Sequence, residues 1–146
     1  MRVTDPSSKA LVFSQYNSTL EWLQRRLPEE GFSFRTITGS MAQRKRARAI
    51  EAFQSDPPTT VFLLSMRSGA VGINLTAASH VYLLEPCLNP ALEEQAIGRA
   101  WRMGQQRKVT VKRFYVKVSS RGSSSVLNLL LFPCSCLSGL ECDRCA

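Results

Sequence analysis

The residues with the most chemistry in them are Gln95, Arg99 and Arg102, within Gln95-Ala-Ile-Gly98-Arg99-Ala-Trp101-Arg102-Met-Gly104-Gln105. Spaced i, i+4 and i+7, they share one face of a helix. Two guanidinium groups presented side by side suit the charge that builds on a γ-phosphoryl group during its transfer. A plainer account also exists: arginines near a helix carboxyl end gain about 0.3–1 kcal/mol from the helix dipole without any catalytic role. Gly98 weighs against it. A glycine inside a helix costs about 1 kcal/mol relative to alanine, which points to the close approach of another group.

A second segment, Ser68-Gly69-Ala-Val-Gly72-Ile-Asn74-Leu75, is a glycine-spaced loop. Gly69 and Gly72 would let the backbone approach a phosphate or take positive φ, and a tight strand-to-helix turn would use them equally well. A third group is scattered: Ser14-Gln15, Thr38-Gly39-Ser40 and Ser65 each follow an apolar run. Hydroxyls, an amide and loop N–H groups are what sequence-independent phosphate gripping requires. Turns collect Ser, Thr and Gly for local reasons too, so the signal is their shared placement after strands. Other chemistry is missing. No Gly-x-x-x-x-Gly-Lys-Ser/Thr run occurs, nor an Asp-Glu pair after a strand. The phosphate cradle and magnesium-holding carboxylates of a nucleotidase are therefore absent. The single histidine, His80, lies in an apolar run and reads as a packed core residue, and no Ser-His-Asp or Cys-His arrangement is present.

These residues need elements to hold them. Lys9 to Phe13 reads as a buried strand. Leu20, Leu23 and Leu27 recur at helical spacing and stop at Pro28 and Gly31. Residues 32–37 form a second strand candidate. Ser40-Met-Ala-Gln43 has capping-box spacing. It opens a helix burying Ala42, Ala49, Ile50 and Phe53, with Arg44, Lys45, Arg46 and Arg48 mostly in water. Residues 61–64 and 80–84 read as third and fourth strands. Asn89-Pro90 supplies an N-cap and a first-turn proline, with Glu93 and Glu94 near the positive end of a helix running to about Ala100. Residues 109–118, alternating with Lys112, Arg113 and Lys117, form a last strand nearer an edge. Strands alternating with helices, and apolar on both faces, predict an α/β, three-layer lobe with a mainly parallel sheet. Ligands on such sheets sit at the carboxyl ends of the strands, and Arg99 and Arg102 are expected to emerge together at that rim.

The bulk numbers fit one domain. A chain of 146 residues with a 44% hydrophobic share can form one compact core and not comfortably two. Nineteen Lys and Arg against eleven Asp and Glu give a net charge of +8. That favours polyanions, nucleic acid ahead of an acidic membrane surface, although a merely solvated basic surface gives the same number. The start has no apolar h-region of a secretory signal, and residues 126–132 are far too short to cross a bilayer. Four of the five cysteines crowd into residues 134–145, unlike a disulfide framework. A soluble, intracellular protein in a reducing compartment is expected.

Three ordered segments then resemble one family. Lys9-Ala-Leu-Val-Phe-Ser-Gln15 is similar to the fourth motif of the C-terminal helicase lobe of SWI/SNF-type, superfamily-two DNA-dependent ATPases. Leu63-Leu-Ser-Met-Arg-Ser-Gly69 through Leu75-Thr-Ala-Ala, with Glu85-Pro and Asn89-Pro90, is similar to the fifth, and Gln95 through Gln105 to the sixth. The resemblance covers about residues 7 to 117. The Leu-Glu-Pro and Leu-Asn-Pro forms are similar to the RING-bearing DNA-repair branch, and Ala70 stands where many members carry a second glycine. The resemblance implies a RecA-like lobe that closes with a first lobe over ATP and Mg2+ while stepping along DNA. It implies that Arg99 and Arg102 reach the γ-phosphate with Gln95 beside them. It places Gly69, Gly72, Asn74 and Gly98 on the nucleotide side. Ser14, Gln15, Thr38, Gly39, Ser40, Arg44 and Ser65 would hold one DNA strand. The implied partners are DNA, a first RecA-like lobe in cis or trans, and nucleosomes or repair factors, in the nucleus and away from membranes.

Two regions follow: residues 1–117 as the lobe, and 118–146 as an aberrant or disordered Ser/Cys-rich tail. Members usually continue into an acidic helix where this chain has Val118-Ser-Ser-Arg-Gly-Ser-Ser-Ser125. The opening of an intron read in frame gives Val-Ser, so the tail reads as translated intron. The rival account is zinc on Cys134, Cys136, Cys142 and Cys145, although the Cys-x-Cys half is cramped for tetrahedral coordination. Half of an ATP-driven DNA motor, silent in hydrolysis alone, is the first functional reading. A stand-alone basic DNA-binding or regulatory module is the second. A truncated reading of a longer gene, with Met1 internal, is a third possibility.

Overall fold

The computed structural model describes residues 8–39, 41–56, 58–66, 73–101, 105 and 107–114. In order they form β1 (Ala10–Ser14), α1 (Asn17–Glu29), β2 (Ser33–Ile37), α2 (Gln43–Ser55), β3 (Thr59–Ser65), β4 (His80–Leu83), α3 (Pro90–Ile97) and β5 (Thr110–Arg113). The strands make one sheet in the order β2-β3-β1-β4-β5, every pair parallel. The expected three-layer α/β lobe is what forms.

Strand alternation divides the core into two layers. Leu11 and Phe13 of β1, Phe62 and Leu64 of β3, and Val81 and Leu83 of β4 pack with Phe53 of α2 and Ile97 of α3. Val12, Val61 and Leu63 turn the other way, onto Leu20, Leu23 and Leu27 of α1. The central strands are thus buried on both faces, and Phe53 meets Phe62 with ring centroids 5.0 Å apart. At the foot of the sheet, the Lys9 ammonium donates to the Phe53 carbonyl and to those of Gln54 (3.4 Å) and Asp56 (3.1 Å), capping the carboxyl end of α2. Burial lowers the Lys9 pKa, while the nearby Asp56 carboxylate acts in the opposite sense.

Several helix ends differ from expectation. Pro28 does not stop α1, which runs on to Glu29. The stop is a Schellman arrangement around Gly31 at φ 78°: Gly31 N–H bonds Pro28 O at 3.0 Å and Phe32 N–H bonds Leu27 O at 2.9 Å. The capping-box spacing does not set the start of α2 either. Gln43 is the first helical residue, Ala42 occupies the cap position at φ −59° and ψ 144°, and among the described residues no side chain caps α2. A turn closed by Met41 N–H on Thr38 O, with Met41 packed against the core, delays the helix start and leaves Ala42 exposed instead of buried. The N-cap of α3 is as expected, with Asn89 Oδ1 accepting from Ala91 N–H at 3.1 Å and Pro90 following. That helix ends at Ile97 and not near Ala100. His80 opens β4 half-exposed, stacked on Tyr82 and 3.0 Å from the Ser79 hydroxyl, and so is not a core residue. Among the described residues, no helix is long and apolar enough to cross a membrane. Residues 115–146, the proposed tail and its four cysteines included, lie outside the described residues.

Candidate functional site

The carboxyl ends of β1, β2 and β3 open onto a cleft of about 770 Å³ whose far wall is the amino end of α1. Gln15, Thr38, Gly39 and Ser65 all line it, so the strand-end residues singled out by composition and spacing do share one rim. Tyr16 lines it too, 58% exposed. The first turn of α1 carries no acidic residue and no side-chain cap, so its positive end faces the cleft. Thr36 contributes a buried hydroxyl that has no hydrogen-bond partner among the described residues. Glu21, one turn into α1, is the acid on the lining. Polar donors, a helix amino end and an orphaned hydroxyl make a pocket suited to an oxyanion.

Ser14 does not belong to that lining. It is fully buried, its hydroxyl donates to Glu85 Oε1 at 2.8 Å, and it accepts from Tyr16 N–H at 3.1 Å. It supports the cleft from beneath. Arg44 is exposed on the first turn of α2, outside the lining, together with Lys45 and Arg48. Arg46 links that helix to the cleft by donating from Nη2 to Thr38 O at 3.3 Å. Ser40 lies outside the described residues.

Those residues expected on the nucleotide side that the structure describes gather elsewhere. After β4, α3 turns back along the sheet. Its eight residues rise about 12 Å, roughly the length of a four-residue strand. Its carboxyl end therefore returns to the amino end of β4. There Leu75 N–H donates to Arg99 O at 3.1 Å, and the same segment continues through Ala78 to Ser79, whose N–H bonds Lys9 O ahead of β1. Asn74, Gly98 and Arg99 are thus brought together, but at the opposite end of the sheet from the cleft. The expected emergence of Arg99 at the carboxyl-end rim is corrected by this path of the chain. Gln95 is exposed on α3, and Asn74 Oδ1 accepts from Thr76 N–H at 3.3 Å. Arg102, Gly69 and Gly72 lie outside the described residues.

Gly98 is the helix cap, at φ −61° and ψ −7°, not a mid-helix residue. Among the described residues, no neighbouring element crowds it. A Cβ there would meet the carbonyls of Glu94 at 3.2 Å and Gln95 at 3.7 Å. Two structural residues were missed as such. Gln105 Nε2 donates to the carbonyls of Thr76, Ala78 and Ala100 at 2.8–3.1 Å, tying the turn after α3 to the segment before β4. Glu85 holds the end of β1. Both sit inside recognisable motifs, but no local pattern reveals partners 27 to 71 residues away.

Comparison with known proteins identifies the family and the fold. The helicase conserved C-terminal domain family matches residues 2–104. The mouse helicase-like transcription factor is 43% identical over 121 residues, covering 82% of this chain and 12% of that protein. DNA repair protein RAD5B of Arabidopsis thaliana is 47% identical over 109 residues, 75% of this chain and 8% of its own length. The chain thus spans about a tenth of these curated relatives. Among solved structures, the C-terminal part of the Fun30 ATPase domain superposes with a TM-score of 0.72 at 32% identity, over 76% of this chain and 36% of that one. This chain belongs to the helicase conserved C-terminal domain family, as a C-terminal lobe of the SWI/SNF type.

Proposed function

We propose that this chain is the second lobe of an ATP-dependent DNA translocase, gripping the backbone of one DNA strand in the cleft and offering Arg99 to ATP at the other end of the sheet. The cleft carries this reading. Gln15, Thr38, Gly39 and Ser65 converge on the positive end of α1 in a chain of net charge +8. Base-reading chemistry is not needed for such a contact, and none is invoked. A role in DNA repair is carried over from the relative RAD5B, and with it a nuclear place of action.

ATP and Mg2+ enter only in part. The Arg99 guanidinium has the charge to meet a phosphate. Among the described residues no three His, Cys, Asp or Glu side chains gather to hold a metal. In this reading magnesium and the phosphate cradle come from the first lobe, and this chain alone hydrolyses no ATP.

Titration of fluorescent DNA onto the chain at 50 and 200 mM salt tests the reading. Affinity should fall at least tenfold across that range, whatever the base sequence, because each neutralised phosphate releases counterions. Absent binding, or binding indifferent to salt, would contradict it. Retained DNA binding with no hydrolysis even beside a first lobe would favour a stand-alone DNA-binding module.

A further inference from the structure

The turn that leads from β1 into the cleft is held from a distance. Glu85, two residues past β4, places Oε1 2.8 Å from the Ser14 hydroxyl and Oε2 3.0 Å from Gln15 N–H. Pro86 O accepts from Gln15 Nε2 at 2.7 Å. Gln15 is therefore fastened by backbone and by side chain to one dipeptide some 70 residues later. Tyr16 and the amino end of α1 follow at once, so their placement depends on the same fastening.

A carboxylate is an unexpected choice here. Next to a pocket proposed to take phosphate it repels the ligand. Both of its oxygens are spent on the β1 turn, and among the described residues it makes no ion pair. We infer that Glu85 is a positioning residue for the phosphate-gripping cleft: it fixes the Ser14–Tyr16 turn, and through it Gln15 and the start of α1, without touching the ligand. The inference rests on the proposed DNA contact at this cleft.

The test uses the complete 146-residue chain and a fluorescent single-stranded oligonucleotide, with affinity measured over a series of salt concentrations and folding followed by circular dichroism. Glu85→Ala leaves Gln15 N–H without its acceptor and the Ser14 hydroxyl with Tyr16 O alone, which unties the turn from the segment after β4, and affinity should fall about fivefold. The slope of log affinity against log salt should stay the same, because no phosphate contact is removed. Glu85→Gln can accept from Gln15 N–H and donate to the Ser14 oxygen, whose proton then turns to Tyr16 O, 3.1 Å away. It should restore affinity to within about twofold. Ser14→Ala removes one of the two bonds with little change in volume and keeps the question open to measurement if Glu85→Ala does not fold. It should weaken binding about twofold. Tighter binding by Glu85→Ala and Glu85→Gln would show that the carboxylate merely repels DNA. Wild-type affinity in Glu85→Ala or, failing its folding, in Ser14→Ala would overturn the inference. A wild-type chain that binds no DNA would instead overturn the reading beneath it.

Discussion

At the scale of single residues, Arg99 closes α3 in a tightened turn. Its N–H bonds Ala96 O at 3.3 Å and its carbonyl receives Leu75 N–H at 3.1 Å. Its backbone is thus held on both sides, which gives a guanidinium the fixed base that stabilisation of a transferring phosphoryl group requires. Within a protein that also carries the first lobe, Arg99→Ala should leave nucleotide binding intact and lower turnover about 10³-fold, by analogy with arginine fingers. Unchanged turnover in a steady-state assay would remove Arg99 from the chemistry. The candidate residues stand out in the sequence by type and spacing, while the roles given to them come from the family resemblance. Their placement was less so: an i, i+4, i+7 count assumes an unbroken helix, whereas the helix ends at Ile97 and runs back down the sheet. Ser14 misleads differently. A hydroxyl after a strand looks like a ligand for phosphate, but here it is buried and bonded to a carboxylate that no local pattern connects to it.

At the scale of elements, α3 is pinned by its first-turn acid. Glu93 Oε1 accepts from Cys87 N–H at 3.0 Å, and Oε2 from Arg113 Nε at 2.9 Å, with side-chain exposures of 13% and 16% for the two ion-pair partners. One carboxylate thereby joins α3, the segment after β4 and the end of β5. Removing one partner of a largely buried pair strands the other, so Arg113→Ala should cost about 3 kcal/mol in urea denaturation. Arg26→Ala is the natural comparison. Its pair with Glu29 on α1 is more than half exposed on both sides, so the cost should stay below about 1 kcal/mol. Equal costs would mean that Glu93 does not organise α3. The elements themselves read well from sequence, because apolar runs and leucine spacing report burial directly. Their ends read poorly where tertiary contacts decide them. Pro28 is tolerated in the last turn of α1, and Met41 packs onto the core and holds Ala42 extended where the spacing of Ser40 and Gln43 promised a capped helix.

At the scale of the whole molecule, the candidate residues of the lobe lie at two ends of the sheet, separated by its length. The cleft sits at the carboxyl ends of β1–β3, and Asn74, Gly98 and Arg99 gather at the amino end of β4. In the proposed reading, such a lobe meets a DNA strand and a nucleotide at once without the two polyanions competing for one surface. The parallel sheet was legible because its central strands are apolar on both faces and strands alternate with helices, while the separation of the ends was not, since it depends on the return path of α3. Amide chemical shifts of the isotope-labelled chain, followed as a short single-stranded DNA is added, test this division most directly. Shifts should concentrate at Gln15, Tyr16, Thr38, Gly39 and Ser65 and leave Asn74 and Arg99 nearly still. Shifts centred on Asn74 and Arg99, with the cleft silent, would contradict it.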